Sequence, residues 1–140
     1  MNYSNLTIAI ETLEGLTNEE FFFGDTIKTF DEENNLDHVC DVIGWTPIMF
    51  PELVKWFTVL EGTFLKYHTV RFKDSLDKSL THKDIGEKLF GISEEEVVGL
   101  FTPNAQYRLP FETKQLSVGA PKEDVIELLK KFVEYKLSEG

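Results

Sequence analysis

Apolar residues fall in spaced clusters along this chain, and the spacing predicts helices over most of its length. Within residues 5–14, Leu6, Ile8, Ile10 and Leu13 stand among acids in the manner of a short helix. Gly15-Leu16 leads into Thr17-Asn18-Glu19-Glu20, a capping box in which the threonine oxygen accepts from a first-turn amide while Glu20 reaches back to the cap. Phe21-Phe22-Phe23 follows and must be largely buried, because an exposed patch of that size invites association. Residues 37–45, with Val39, Cys40, Val42 and Ile43, read as another helix. Thr46-Pro47 is a stop and restart, since proline suits the first turn of a helix. A further helix is expected from Phe50-Pro51, with Leu53, Val54, Trp56, Phe57 and Leu60 on its apolar side and Gly62 at its end.

The best strand candidate is residues 64–72, rich in aromatic and β-branched types. Residues 107–111 are its expected partner in a hairpin, held to an edge because Pro110 has no amide to donate to a ladder. Helical signals return with Thr81, a cap for a helix through Phe90 with Ile85, Leu89 and Phe90 facing inward. Gly91 then occupies the left-handed position that ends such a helix, and Ile92 supplies the contact after it. Ser93-Glu94-Glu95-Glu96 is a second capping box, with its acids at the positive end of the helix dipole. Val97, Val98, Leu100 and Phe101 continue that helix, and Pro103 closes it. Pro121 opens a long helix to about Leu137, with Val125, Leu128, Leu129, Phe132 and Val133 at 3-4 spacing and Glu127–Lys131 as a favourable pair. The expected fold class is mostly α: a compact bundle of five or six short helices with one short β-hairpin, 64–72 with 107–111. No repeat, low-complexity tract or Pro/Gly-rich linker divides residues 1–140, which read as a single domain.

Composition supports a packed core. The 140 residues are 41% hydrophobic and include twelve Phe, two Trp and four Tyr, and a chain of this size hides roughly 70% of its unfolded surface. No stretch approaches the length a membrane helix needs. Residues 1–5 lack the basic start and apolar run of a signal peptide. One cysteine, Cys40, cannot form an internal disulfide, which fits a reducing compartment. The cytoplasm is the expected location, and the glycosylation sequon Asn5-Leu6-Thr7 is then idle.

Charge changes the picture more. The net value is −11, and residues 1–41 hold ten acids against the single base Lys28. Residues 42–92 come to about +1 and residues 93–140 to about −3. Such a field repels nucleic-acid backbones and anionic lipid surfaces and favours basic partners, although it also serves solubility.

Catalytic and metal chemistry find little footing. Cys40, His38, His68 and His82 include no Cys-x-x-Cys, His-x-His or His-Glu-x-x-His, so no metal or cofactor is expected. A Cys–His nucleophile requires the fold to bring His68 or His82 to Cys40. A buried cysteine more often acts as a small hydrophobe. No Gly-x-Gly-x-x-Gly or Gly-Lys-Ser/Thr phosphate loop occurs. Asp31-Glu32-Glu33-Asn34-Asn35 lacks the alternating order of a calcium loop. Lys66-Tyr67-His68 and Arg71-Phe72-Lys73 form the only positively charged segment, which carries too little charge for a nucleic-acid platform.

Taken in order, Leu36-Asp37-His38-Val39-Cys40-Asp41-Val42-Ile43-Gly44-Trp45, Leu89-Phe90-Gly91-Ile92-Ser93-Glu94-Glu95-Glu96 and Leu100-Phe101-Thr102-Pro103 resemble segments of a family of small uncharacterised bacterial and bacteriophage proteins. The pattern there is Cys-Gly-Thr-x-x-Cys-x-x-Gly-Trp, then Leu-Phe-Gly-Leu-Ser-Glu-Glu-Glu and a closing helix. With Gly44-Trp45 setting the register, Leu36 and Asp41 stand where the two family cysteines belong. The resemblance therefore implies a fold and a bacterial or phage source, and carries over no thiol or metal chemistry.

The leading expectation is a non-enzymatic interaction protein that docks an acidic N-terminal surface on a basic protein, in its sharper form by imitating a phosphate backbone. Its contacts would be Glu11, Glu14, Glu19, Glu20, Asp31, Glu32 and Glu33, with no direct binding to nucleic acid or membrane. The alternative is a small-ligand binder or enzyme with a pocket near Cys40, Gly44, Trp45 and His68. A homodimer is compatible with either.

Overall fold

Helix α1 (Tyr3–Gly15) extends beyond its apolar stripe because Asn2 caps it, accepting from the Asn5 amide at 3.0 Å. Asn5, the sequon residue, is itself engaged and donates through Nδ2 to the Leu89 carbonyl at 2.6 Å. The structure is a computed structural model that describes residues 1–24, 27–29, 39–61, 65–73, 82–103, 109 and 116–139, with 27–29, 58–61, 65–68 and 82 described by their backbone alone. Leu6, Ala9 and Leu13 bury the inner face of α1. After it, Glu20 Oε1 accepts from the Thr17 amide at 2.8 Å and shapes a single 3-10 turn, Asn18–Glu20.

Residues 39–45 do not form the expected helix, and residues 37 and 38 lie outside the described residues. β1 (Ile27–Thr29) pairs antiparallel with β2 (Val39–Cys40), and Phe21 bridges Cys40 in parallel. The Cys40 carbonyl accepts from the Phe22 amide at 3.1 Å, so the backbone of this apolar run is used sideways rather than along a helix. Asp41 then turns the chain: its Oδ1 accepts from the Gly44 amide at 2.9 Å, reaching from just ahead of the 3-10 turn Ile43–Trp45 into it. The turn runs directly into α2 (Thr46–Met49), where Pro47 takes the first turn as its fixed φ requires.

The helix expected after Phe50-Pro51 is also replaced. Val54–Glu61 forms β3, paired antiparallel with β4 (Leu65–Phe72) from Val54↔Phe72 to Glu61↔Leu65. The strand-like segment is thus where the sequence places it, but its partner precedes it in the chain. Residues 107, 108, 110 and 111 lie outside the described residues. Alternation explains the exchange. Val54 and Val70 are buried and Trp56 and Phe72 pack against the core, whereas Lys55 and Arg71, opposite one another, lie on the other face.

The remaining helices lie where expected, although Thr81, the expected cap of the first of them, lies outside the described residues. α3 (His82–Phe90) ends at Gly91, whose φ of 62° is left-handed and whose Cα faces the backbone of Asn2. α4 (Glu94–Phe101) starts in a complete capping box, Ser93 amide to Glu96 at 2.9 Å and Glu96 amide to Ser93 at 3.2 Å. Gly86 lets α3 and α4 approach, since a Cβ there would stand 3.0 Å from Val97. α5 (Lys122–Glu139) lies along α1, with Lys122 donating to the Leu16 carbonyl. The fold is mostly α with antiparallel hairpins, and its buried side chains form one contiguous cluster that includes Phe23, Cys40, Phe90, Leu100, Leu129 and Phe132. Among the described residues, no helix is long and apolar enough to cross a membrane.

Candidate functional site: an acidic groove between the first and last helices

Packing α5 against α1 leaves a groove of about 320 Å³ between their outer edges. Glu11 and Glu14, one turn apart on α1, stand on one side, and Lys130 and Glu134 of α5 stand on the other. Ile10 and Val133 line it between them, and a half-exposed Tyr3 closes one end. Lys130 reaches Glu14 at 3.8 Å, with both side chains more than half exposed. Such a pair in water contributes about 0–1 kcal/mol to stability, and the lining keeps a net negative charge because three Glu face one Lys. The result is an apolar strip with two acids on one side and an acid and a base on the other.

The seven sequence-predicted contact residues fare unequally. Glu11 and Glu14 share the groove, and Glu19 is exposed on the following 3-10 turn. Glu20 is committed twice to structure, its carboxylate to the Thr17 amide and its carbonyl to Trp45 Nε1 at 2.9 Å. Asp31, Glu32 and Glu33 lie outside the described residues. Glu134 and Lys130 are additions the sequence gives no reason to couple with Glu11, because only helix packing brings positions so far apart in the chain together.

The Cys40 segment shows a different environment. Cys40 is fully buried, and burial, with the Asp41 charge as a second cause, pushes its thiol up to about 12. A thiol so held is neutral at physiological pH and a poor nucleophile. Trp45 is buried too, packed edge-to-face on Trp56 with ring centroids 6.0 Å apart, and Trp56 Nε1 donates to the Gly44 carbonyl at 2.9 Å. These bonds bring Gly44, Trp45 and β3 together. The backbone of His68 lies in β4 opposite Thr58, and its side chain is not described. A cleft of about 200 Å³ opens on the far side of this segment, lined by Asp41 and Ile43 with Gly24, Lys83, Val97 and Phe101. Asp41 is 6% exposed there, and Lys83 at the lip pairs with Glu94 at 3.2 Å.

Among the described residues, no group of three or more His, Cys, Asp or Glu side chains is placed to share a metal ion. No family model, curated protein or solved structure matches the chain.

Proposed function

We propose that this chain is a non-enzymatic interaction protein whose acidic surface docks on a basic segment of another protein. The observation that carries the reading is the α1–α5 groove, where Glu11, Glu14 and Glu134 flank an apolar strip with Lys130 as the one base among its lining residues. A short amphipathic helix with Lys or Arg on its edges matches both features: its apolar side meets Ile10 and Val133, and its cations meet the walls. The net charge of −11 extends the effect beyond contact, steering cationic partners inward and raising their association rate. Imitation of a phosphate backbone is the sharper form of the reading, in which the partner itself binds nucleic acid. The family resemblance adds a bacterial or phage setting for such a modulator.

The test is capture of basic proteins from bacterial lysate by the native chain beside a Glu11→Lys, Glu14→Lys, Glu134→Lys variant. One basic protein retained by the native form and lost by the variant, followed by direct binding of the purified pair, supports the reading. Equal retention by both forms sinks it. Glu20 is left unaltered because its reversal would also remove a cap.

A second reading rests on the cleft beside Asp41. A deeply buried carboxylate at the edge of a cleft of mixed polar and apolar lining is a common feature of small-ligand sites. Thermal shift against a panel of small organic cations tests it, and an Asp41→Asn variant that keeps the same shifts counts against it.

A further inference from the structure

The β3–β4 hairpin carries a charge arrangement at odds with the rest of the molecule. Lys55 and Arg71 are directly opposite one another across the two strands, on the face turned away from Val54 and Val70. Both cations converge on the same ring: Arg71 Cζ lies 4.6 Å from the Phe57 centroid and Lys55 Nζ 5.2 Å from it. Like charges directly opposite in a sheet destabilise it. The chain offers 25 acids to relieve them, yet among the described residues no carboxylate pairs with either cation. The ring attracts each cation through its negative face, which offsets part of their repulsion.

Two cations drawn to one ring on one side of a hairpin, with no described carboxylate paired to either, leave room for an external anion. We infer that Lys55, Phe57 and Arg71 form a binding site for a phosphomonoester dianion. Charge selects that class. A carboxylate would neutralise one of the two cations, whereas a phosphomonoester carries close to two negative charges at neutral pH and matches both. Geometry agrees, because the planar guanidinium of Arg71 can bind two phosphate oxygens while the Lys55 ammonium takes the third as a point charge. Extended polyanions are disfavoured: a nucleic-acid strand that reached the hairpin would meet the field of a molecule at −11 along its length. A single phosphate, free or on a phosphorylated side chain, meets only the local pair. This inference uses a surface distinct from the α1–α5 groove and stands whether or not that groove binds a basic partner.

The experiment is an amide-resolved NMR titration of the full chain at constant ionic strength. Its probes are inorganic phosphate, acetate, a phosphoserine peptide with its unphosphorylated form, and a short single-stranded oligonucleotide. Saturable shifts centred on Lys55, Phe57 and Arg71 with phosphate, and none with acetate, are expected. Arg71→Gln and Lys55→Gln should each weaken phosphate binding by roughly tenfold, as expected for loss of a charged hydrogen-bond partner. Arg71→Lys should fall between, which separates the fork from charge alone. Phosphate should also raise the melting temperature of the native chain and leave the double glutamine variant unchanged. Tighter binding of the phosphoserine peptide, with its unmodified form silent, would place the phosphate on a partner protein. Unsaturable shifts, equal responses to acetate, or displacement of phosphate by the oligonucleotide on these same residues would each overturn the assignment.

Discussion

Cys40 shows how one residue's surroundings decide its chemistry. The sequence leaves it either as a nucleophile awaiting a histidine or as a small apolar side chain, and the structure encloses it completely. Alkylation of the native protein at pH 8 should therefore be slow and should follow unfolding, whereas the denatured chain reacts at the rate of a free thiol. Mass spectrometry of timed samples reads both. The thiol is raised from 9.0 to about 12 by folding, so the folded state holds its proton more tightly. Its contribution to stability is complete below pH 9 and is lost as pH rises from about 9 towards about 12. Over that window the native chain should lose more stability than Cys40→Ala, in denaturant melts at matched pH. Cys40→Ser should cost about 1–3 kcal/mol, the penalty for a poorly partnered hydroxyl in the core.

At the scale of elements, the most legible parts were those fixed by local chemistry. Gly91, Ser93 with Glu96, and Pro47 each hold the helix boundary their residue type suggests. Gly91→Ala should destabilise by about 1–2 kcal/mol, because an alanine at φ 62° is strained. The added Cβ would also stand 3.1 Å from the Asn2 nitrogen. Glu96 joins two elements. Its carboxylate caps α4 and meets Lys136 of α5 at 2.6 Å. Partial burial alone pushes the Glu96 carboxyl upward, but the bonds from Lys136 and the Ser93 amide outweigh it and hold the group below its ordinary value. Its stabilisation is thus present above the ordinary carboxylate range and lost as pH falls through the lowered value. Glu96→Ala should cost about 1–2 kcal/mol at pH 7, with a shallower loss of stability in acid, read from urea midpoints across pH. The elements that sequence reasoning misread are β2 and β3. In residues 53–60, Trp56 and Phe57 are adjacent apolar residues that fit a helical stripe as readily as the two faces of a strand. Only pairing with β4 and the Trp56 bond to Gly44 select the strand. The α1–α5 groove was half legible: Glu11 and Glu14 could be read from the sequence, Glu134 could not, because its partnership is made by packing.

At the scale of the whole molecule, one property acts on stability and on the proposed binding in opposite senses. A net charge of −11 on 140 residues repels itself in the compact state. Added salt screens that repulsion, with a Debye length of about 10 Å at 0.1 M, and should raise the melting temperature of the isolated chain. The same screening weakens attraction between the groove and a basic partner, so affinity should fall over the range in which stability rises. Acidification separates the two causes. From pH 7 towards the isoelectric point near 4.7 the net charge shrinks and self-repulsion with it. Stability should therefore climb at first on this account. It should then fall once Glu96 and the other carboxylates that are paired in the fold take up protons. Reversing Glu11, Glu14 and Glu134 to lysine tests the arrangement as a unit. These positions are exposed, and the changes reduce the magnitude of the net negative charge, so the variant should melt no lower than the native chain while partner affinity collapses. A variant that lost both stability and binding would show that the groove's acids support the fold rather than a partner. If instead native binding were insensitive to salt, contact shape rather than charge would govern it, and the acidic walls would be left with solubility as their role.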